Sequence, residues 1–289
     1  MSKIEVKSFF DHATATWSYI VWNAEGENKN CAIIDSVLDY NISSGCVSTN
    51  SADLLISFIK EQNLTLEWIL ETHIHADHLT AANYLKEKLG GKTGVSKRIV
   101  AVLKTWQEIF HNEKDTPLTG EQFDYLFEDD EEFNIGDLKV KIIATPGHTP
   151  ADTSYVIEDN IFVGDAIFLP DVGTGRCDFP NGSSADSYDS VQKLLSFSDN
   201  YKIYVGHDYP PTSARNAECF TTVAKQKEHN IRVHQGISKD QYVSKRNKDD
   251  IGKEVPKLLL PSLQVNLCAG RFSRDENGEE YVKIPVNKI

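Results

Sequence analysis

Four separate strand-like runs in this chain each end within a few residues of a histidine or an aspartate. Leu66–Glu71 runs directly into Thr72-His-Ile-His-Ala-Asp-His78. Leu138–Ala144 leads through Thr145-Pro-Gly to His148, while Ile161–Val163 and Lys202–Val205 lead through single glycines to Asp165 and His207. In open α/β sheets functional groups collect just beyond the carboxyl ends of strands. A fold that delivers imidazoles and carboxylates from four strand ends must bring those ends to one edge, which restricts it to layered α/β architectures.

The residue types specify the chemistry. Neutral imidazole and carboxylate together suit zinc, iron or manganese, and the lack of cysteine among the donors argues against a closed structural zinc site. Pro146 and Gly147 turn the backbone sharply before His148, and Gly164 and Gly206 permit close approach at the other two ends. Taken singly, each residue has a plainer role; Asp77, for example, is a natural cap for a helix starting at Leu79. Jointly they describe a metal site of His73, His75, Asp77, His78, His148, Asp165 and His207. His12, His111, His229 and His234 lack the strand-end setting and read as surface or structural residues.

The remaining elements follow from periodicity. Strands are expected at Ile4–Phe10, Thr16–Trp22, Cys31–Ile34 and Thr153–Ile157. Helices are expected over about Ala52–Glu61, Leu79–Leu89 with a stop at Gly90-Gly91, and near Asp186–Leu195. A turn-rich loop covers Pro170–Ser184, and a strand-like tail covers Glu280–Val286. The acidic run Glu128–Glu132 reads as a solvated loop. The two halves would each supply half of a sandwich. Residues 1–210 would form the catalytic core and 211–289 a helical and irregular extension packed on the same domain.

Composition removes several function classes. The net charge of −13 disfavours a nucleic-acid partner, because an acidic surface repels phosphates. No apolar run is long enough to span a bilayer, and no signal-peptide pattern opens the chain. The five cysteines include no Cys-x-x-Cys pair, so a reduced, cytoplasmic protein is expected. Lys225, Lys227, Arg232, Lys245, Arg246 and Lys248 read as a solvated basic face without a binding role. Cys177 reads as a buried, inert thiol, and Trp17, Trp22, Trp68 and Trp106 as core.

The four motifs together resemble those of the metallo-β-lactamase superfamily over about residues 1–210. The resemblance implies a four-layer αβ/βα sandwich with its site at one edge. Within the superfamily the chain is similar to glyoxalase II hydrolases and to persulfide dioxygenases of the ethylmalonic-encephalopathy protein family. Both carry the same seven ligand-type residues. The loop with Gly175, Arg176, Asp178 and Phe179, and the triplet His207-Asp208-Tyr209, resemble the dioxygenases.

That likeness implies one Fe(II) per chain on His73, His148 and Asp165, with His75, Asp77, His78 and His207 around it. The substrates implied are dioxygen and glutathione persulfide or a similar low-molecular-weight persulfide, and a homodimer is a further expectation. Arg176 is the candidate partner for a glutathione carboxylate, its plainer role being a salt bridge to Asp171 or Asp178; Tyr209 is the candidate hydrogen-bonding neighbour. The glyoxalase II alternative places two zinc, iron or manganese ions on all seven residues and hydrolyses glutathione thioesters. The tail beyond Ser213 is longer than in compact dioxygenases, and Val255–Asn266 resembles a bacterial subgroup, which leaves the thiol carrier open. An exported β-lactamase, an RNA-processing nuclease and a non-enzymatic binding module fit less well.

Overall fold

Alternating burial along two sets of strands builds the molecule. The structure, a computed structural model, describes residues 3–210 and 215–288. The first half begins with β1 (Ile4–Asp11), β2 (Thr16–Asn23) and β3 (Asn30–Ile34), followed by a small hairpin, β4 (Asp39–Asn41) and β5 (Cys46–Ser48). Then come α1 (Asn50–Glu61), β6 (Thr65–Leu70), α2 (Ala82–Leu89), β7 (Lys92–Ser96), α3 (Ile99–Phe110) and β8 (Tyr125–Phe127). The second half contains β9 (Glu132–Ile135), β10 (Leu138–Ala144), β11 (Thr153–Ile157), β12 (Asn160–Phe162), α4 (Ser184–Leu195) and β13 (Lys202–Tyr204). It continues through β14 (Phe220–Thr222), α5 (Val223–His229), α6 (Lys239–Asp250) and α7 (Leu259–Leu267) to a last hairpin, β15 (Ser273–Arg274) and β16 (Glu280–Tyr281).

Two six-stranded mixed sheets result, in the orders β1-β2-β3-β6-β7-β8 and β14-β13-β12-β11-β10-β9. In β2 and β3 the pleat sends Tyr19, Val21, Ala32 and Ile34 inward to meet Val140, Ile142, Tyr155 and Phe162 of the facing sheet. Their neighbours Ile20, Cys31 and Ile33 point outward and are covered by Leu55, Ile56 and Ile59 of α1 and Leu85 of α2. On the far side, Ile143, Val156, Ile161 and Ile203 are covered by Val191, Leu194 and Leu195 of α4. This is the expected four-layer αβ/βα sandwich, each half of the chain supplying one sheet.

Several boundaries differ from expectation. The helix expected from Leu79 starts at Ala82, because Leu79 and Thr80 are held in the preceding loop: the Leu79 carbonyl accepts from Leu38 N–H and Thr80 N–H donates to Asn266. Asp77 is therefore not a helix cap. The tail strand shrinks to Glu280–Tyr281, since only that pair finds a partner strand. The acidic run is exposed but ion-paired, Glu128 with Lys97, Asp129 with Arg98 and Glu132 with Lys139. The onset of the tail at Ser213 lies outside the described residues. Among the described residues no helix is long and apolar enough to cross a membrane.

Candidate metal centre

The loop from β6 to α2 is fixed from below before any donor side chain is considered. Asp35, just past β3, accepts from Thr72 N–H at 2.7 Å and from the Thr72 hydroxyl at 2.8 Å. The Thr72 carbonyl accepts from Thr153 N–H at 2.9 Å, which ties the loop to the second sheet. From α7, the Asn266 amide donates to the carbonyls of His75 and His78, both at 2.8 Å. Gly164 passes so close that a β-carbon there would lie 2.3 Å from the Thr72 hydroxyl, and its φ of +51° is one that L side chains rarely adopt.

All seven predicted donors converge at this edge, in two groups. His73, His148 and Asp165 form one, and His75, Asp77, His78 and His207 the other; within each, one ligand atom per residue lies within 4.8 Å of the rest. Asp165 and His207 bridge the groups, with His207 Nε2 at 3.4 Å from Asp165 Oδ1 and 3.3 Å from Asp77 Oδ2. Every donor except Asp77 is buried.

Neighbours orient the rings. His148 Nδ1 donates to the Arg176 carbonyl at 2.7 Å, which leaves Nε2 facing Asp165 at 3.5 Å. The Thr16 hydroxyl sits against Nδ1 of both His78 and His207, at 3.4 and 3.3 Å. Such outer partners set the tautomer and aim of a ligating imidazole. Four buried atoms at the centre have no hydrogen-bond partner among the described residues: His75 Nδ1, His78 Nε2, Asp165 Oδ1 and His207 Nε2. Buried polar atoms are normally satisfied, and a divalent cation satisfies this set of imidazole and carboxylate donors. The residues therefore fit a metal.

Electrostatics agrees. Burial, reinforced by the neighbouring histidines, holds His73 well below its ordinary pKa and His78 down at about 4, which keeps both neutral as ligands must be. Burial opposes charge on His75 too, but Asp35 and Glu71 outweigh it and hold its pKa well up. Burial likewise works against an ionised Asp77, yet His207 and His78 keep its carboxyl below the usual range.

A cavity of about 350 Å³ opens onto Asp77, His148 and Asp165, with Phe168, Val172 and Phe179 as apolar wall and Tyr209 at its rim. Arg176 lines it, but its guanidinium is engaged: Nε and Nη2 bond the two Asp178 oxygens at 2.6 Å and Nη1 the Glu254 carbonyl at 2.8 Å. The expected solvated basic face needs correction. Arg246 is buried and paired with Asp250, Arg232 is paired with Asp249, and both reach the cavity beside Lys253. Lys225, Lys245 and Lys248 are exposed as expected. Cys177 is buried, its thiol pushed up to about 12 by that burial. Trp68 and Trp106 are core, with Trp17 and Trp22 packed at its edges. His12, His111, His229 and His234 take no part in the centre.

Sequence reasoning missed Asp35, Glu71, Thr16 and Asn266. Asp35 follows Cys31–Ile34 directly, so the strand-end signal used for the other carboxylates also pointed to it. Nothing local marks Asn266, which arrives from far along the chain.

Comparison with known proteins agrees with this geometry. Residues 13–207 match the Metallo-beta-lactamase superfamily. Over its whole length the chain is 47% identical to "Glyoxylase B2" of Dictyostelium discoideum, covering 99% of that protein. It is 41% identical over 98% of its length to the "Beta-lactamase hydrolase-like protein" of Xylella fastidiosa (strain 9a5c), of which it spans only 65%. It is 30% identical to human "Persulfide dioxygenase ETHE1, mitochondrial", over 71% of this chain and 69% of that one. Among solved structures, ETHE1 from Myxococcus xanthus superposes with a TM-score of 0.72 at 27% identity, covering 92% of this chain and all of the other. The family match and these relatives agree with the sandwich: the chain is an enzyme of the metallo-β-lactamase superfamily.

Proposed function

We propose that the protein is a non-haem iron dioxygenase that oxidises glutathione persulfide, or a similar low-molecular-weight persulfide, to sulfite and thiol. The observation that carries this reading is the three-donor group of His73, His148 and Asp165. Two imidazoles and one carboxylate are the facial set of non-haem Fe(II) oxygenases, which leaves positions free for substrate and dioxygen. The likeness to ETHE1 and the loop around Arg176 support it. On this reading residues 1–210 carry the catalytic core and 211–289 the extension, from which Arg232, Arg246, Lys253 and Pro256 line the cavity.

When bound, iron would supply the redox chemistry. Persulfide, dioxygen and water balance to sulfite, thiol and protons. The chain's own residues position and shield. The Arg176 carbonyl fixes His148, and Asp77, His78 and His207 stand beside the triad as hydrogen-bonding partners for water or substrate. Phe168, Val172 and Phe179 exclude bulk solvent from one wall. Arg176, Arg232, Arg246 and Lys253 line the same cavity, already paired with Asp178, Asp249 and Asp250, so on this reading a substrate carboxylate shares them with those partners. On this reading Tyr209, which lines the cavity, hydrogen-bonds the substrate.

A second reading has its own observation. The group His75, Asp77, His78 and His207 has the composition of a second metal site, as a dinuclear thioester hydrolase requires, and the 47% identity to "Glyoxylase B2" agrees with it. Oxygen uptake and sulfite release on adding glutathione persulfide to anaerobically purified protein test the first reading. Absence of both, with cleavage of a glutathione thioester, establishes the second.

A further inference from the structure

Asp77, the one donor that is not buried, faces two clefts. The first is the cavity described above, which meets the three-donor group at His148 and Asp165 and is lined by the cations Arg176, Arg232, Arg246 and Lys253. The second, of about 440 Å³, is walled by the β4–β5 hairpin and the residues leading into it. The chain between α6 and α7 borders both, giving Lys253 and Pro256 to the first and Lys257 and Leu258 to the second. Hydrogen bonds tie the second cleft to the four-donor group. Thr14 on its wall shares one with the Thr16 hydroxyl at 2.7 Å, and Thr16 sits against His78 and His207. Leu38 N–H donates to the Leu79 carbonyl at 2.8 Å, directly after His78.

The two clefts differ in chemistry. Val37, Leu38, Tyr40, Ile42, Val47 and Leu258 make the second mainly apolar, and Ile42 and Val47 are left 50% and 43% exposed. Among the described residues that line it, the carboxylates of Asp11, Asp39 and Asp77 stand against a single cation, Lys257. Asp11 is already satisfied by Thr14, and Asp39 by Ser51. A carboxylate entering this cleft would meet like charge, whereas an uncharged apolar group would cover Ile42 and Val47 and gain from leaving water. We propose that the cleft is a second substrate subsite, which takes an uncharged alkyl or acyl group carried on the sulfur of a thiol whose carboxylates lie in the first cavity. The metal-binding residues then stand where the two arms meet, at the substituted sulfur. The inference goes beyond the persulfide reading and shares with it only the carboxylate-bearing thiol, since a bare persulfide has no second arm.

Calorimetric titration of the anaerobic, iron-loaded protein with S-methylglutathione and S-hexylglutathione tests this. Neither compound carries an ester bond or a terminal sulfur, so both report binding alone. Burying one methylene strengthens binding by up to about fourfold, and the hexyl compound should therefore bind the wild type at least about tenfold more tightly than the methyl one. Val47→Asp adds a further carboxylate to the apolar wall, and the preference should fall below about twofold. Ile42→Asp takes its place if that variant does not fold. Equal affinities in the wild type, or binding of neither compound, overturns the proposal. So does a preference that persists in the hairpin variant, which would put the chain against Phe168 and Phe179 of the first cavity instead. Oxygen uptake with glutathione persulfide does not enter these titrations, so its absence would remove the dioxygenase reading and leave the subsite standing.

Discussion

Replacing Arg246 by methionine tests how the extension holds the cavity together. Arg246 is 1% exposed, and its Nε and Nη2 both bond Asp250, which is 5% exposed. The change removes those two charge-assisted bonds. Asp250 keeps Lys253 Nζ at 2.9 Å and Cys177 N–H at 2.9 Å, so it is weakened in its pairing but not stranded. Breaking a buried ion pair costs about 3–5 kcal/mol, and the surviving partners place this case near about 3 kcal/mol. For a chain of this size that corresponds to a fall in Tm of roughly 6–12 °C.

The pH dependence has a definite sign. Burial opposes ionisation of Asp250, but Arg246, Cys177 N–H and Lys253 together lower its pKa. Its contribution is therefore present above the ordinary carboxylate value of about 3.9 and is lost as pH falls through the lowered one. Urea denaturation of wild type and variant near neutral pH should show the full gap, and the same pair at low pH a smaller one. A neutral-pH difference under about 0.5 kcal/mol would mean that the Arg246–Asp250 pair does not stabilise the fold.

Other expectations follow from the centre and its surroundings. Gly164→Ala forces a β-carbon to within 2.3 Å of the Thr72 hydroxyl at a positive φ, so metal affinity should fall at least about tenfold; an unchanged affinity in competition titrations contradicts it. Removing metal with a chelator should lower Tm and re-addition restore it, a gain of about 3–4 kcal/mol when metal exceeds Kd 100- to 1,000-fold, because the donors come together only in the folded chain; an unchanged Tm contradicts it. Among the cysteines, exposed Cys46 should react first with a thiol reagent near pH 8, while Cys31, Cys177 and Cys268, pushed up to about 12 by burial, stay protected; fast labelling of Cys177 would contradict this.

The donors were legible because a strand end followed by His or Asp is a local pattern, repeated four times. The sandwich was legible for a related reason, since β2 and β3 carry apolar runs and β10 alternates Leu138, Val140 and Ile142 with lysines, patterns readable without context. The hairpin β4–β5 was not, because strands of three residues leave no periodicity to read. Nor was the fate of the basic tail. Arg246 and Arg232 look like surface charge in sequence, and only their pairing with Asp250 and Asp249 draws them inward. The grouping of seven donors into three and four was likewise invisible, because it depends on how strand ends from both sheets meet in space.

Metal content of anaerobically purified wild type, His148→Ala and His207→Ala distinguishes a one-iron centre from a dinuclear one. With His73, His148 and Asp165 as the ligands, the wild type should hold about one iron per chain, His148→Ala should lose it, and His207→Ala should retain it with slowed oxygen uptake. Two metals per chain, with one lost in His207→Ala, would contradict it and make the centre dinuclear.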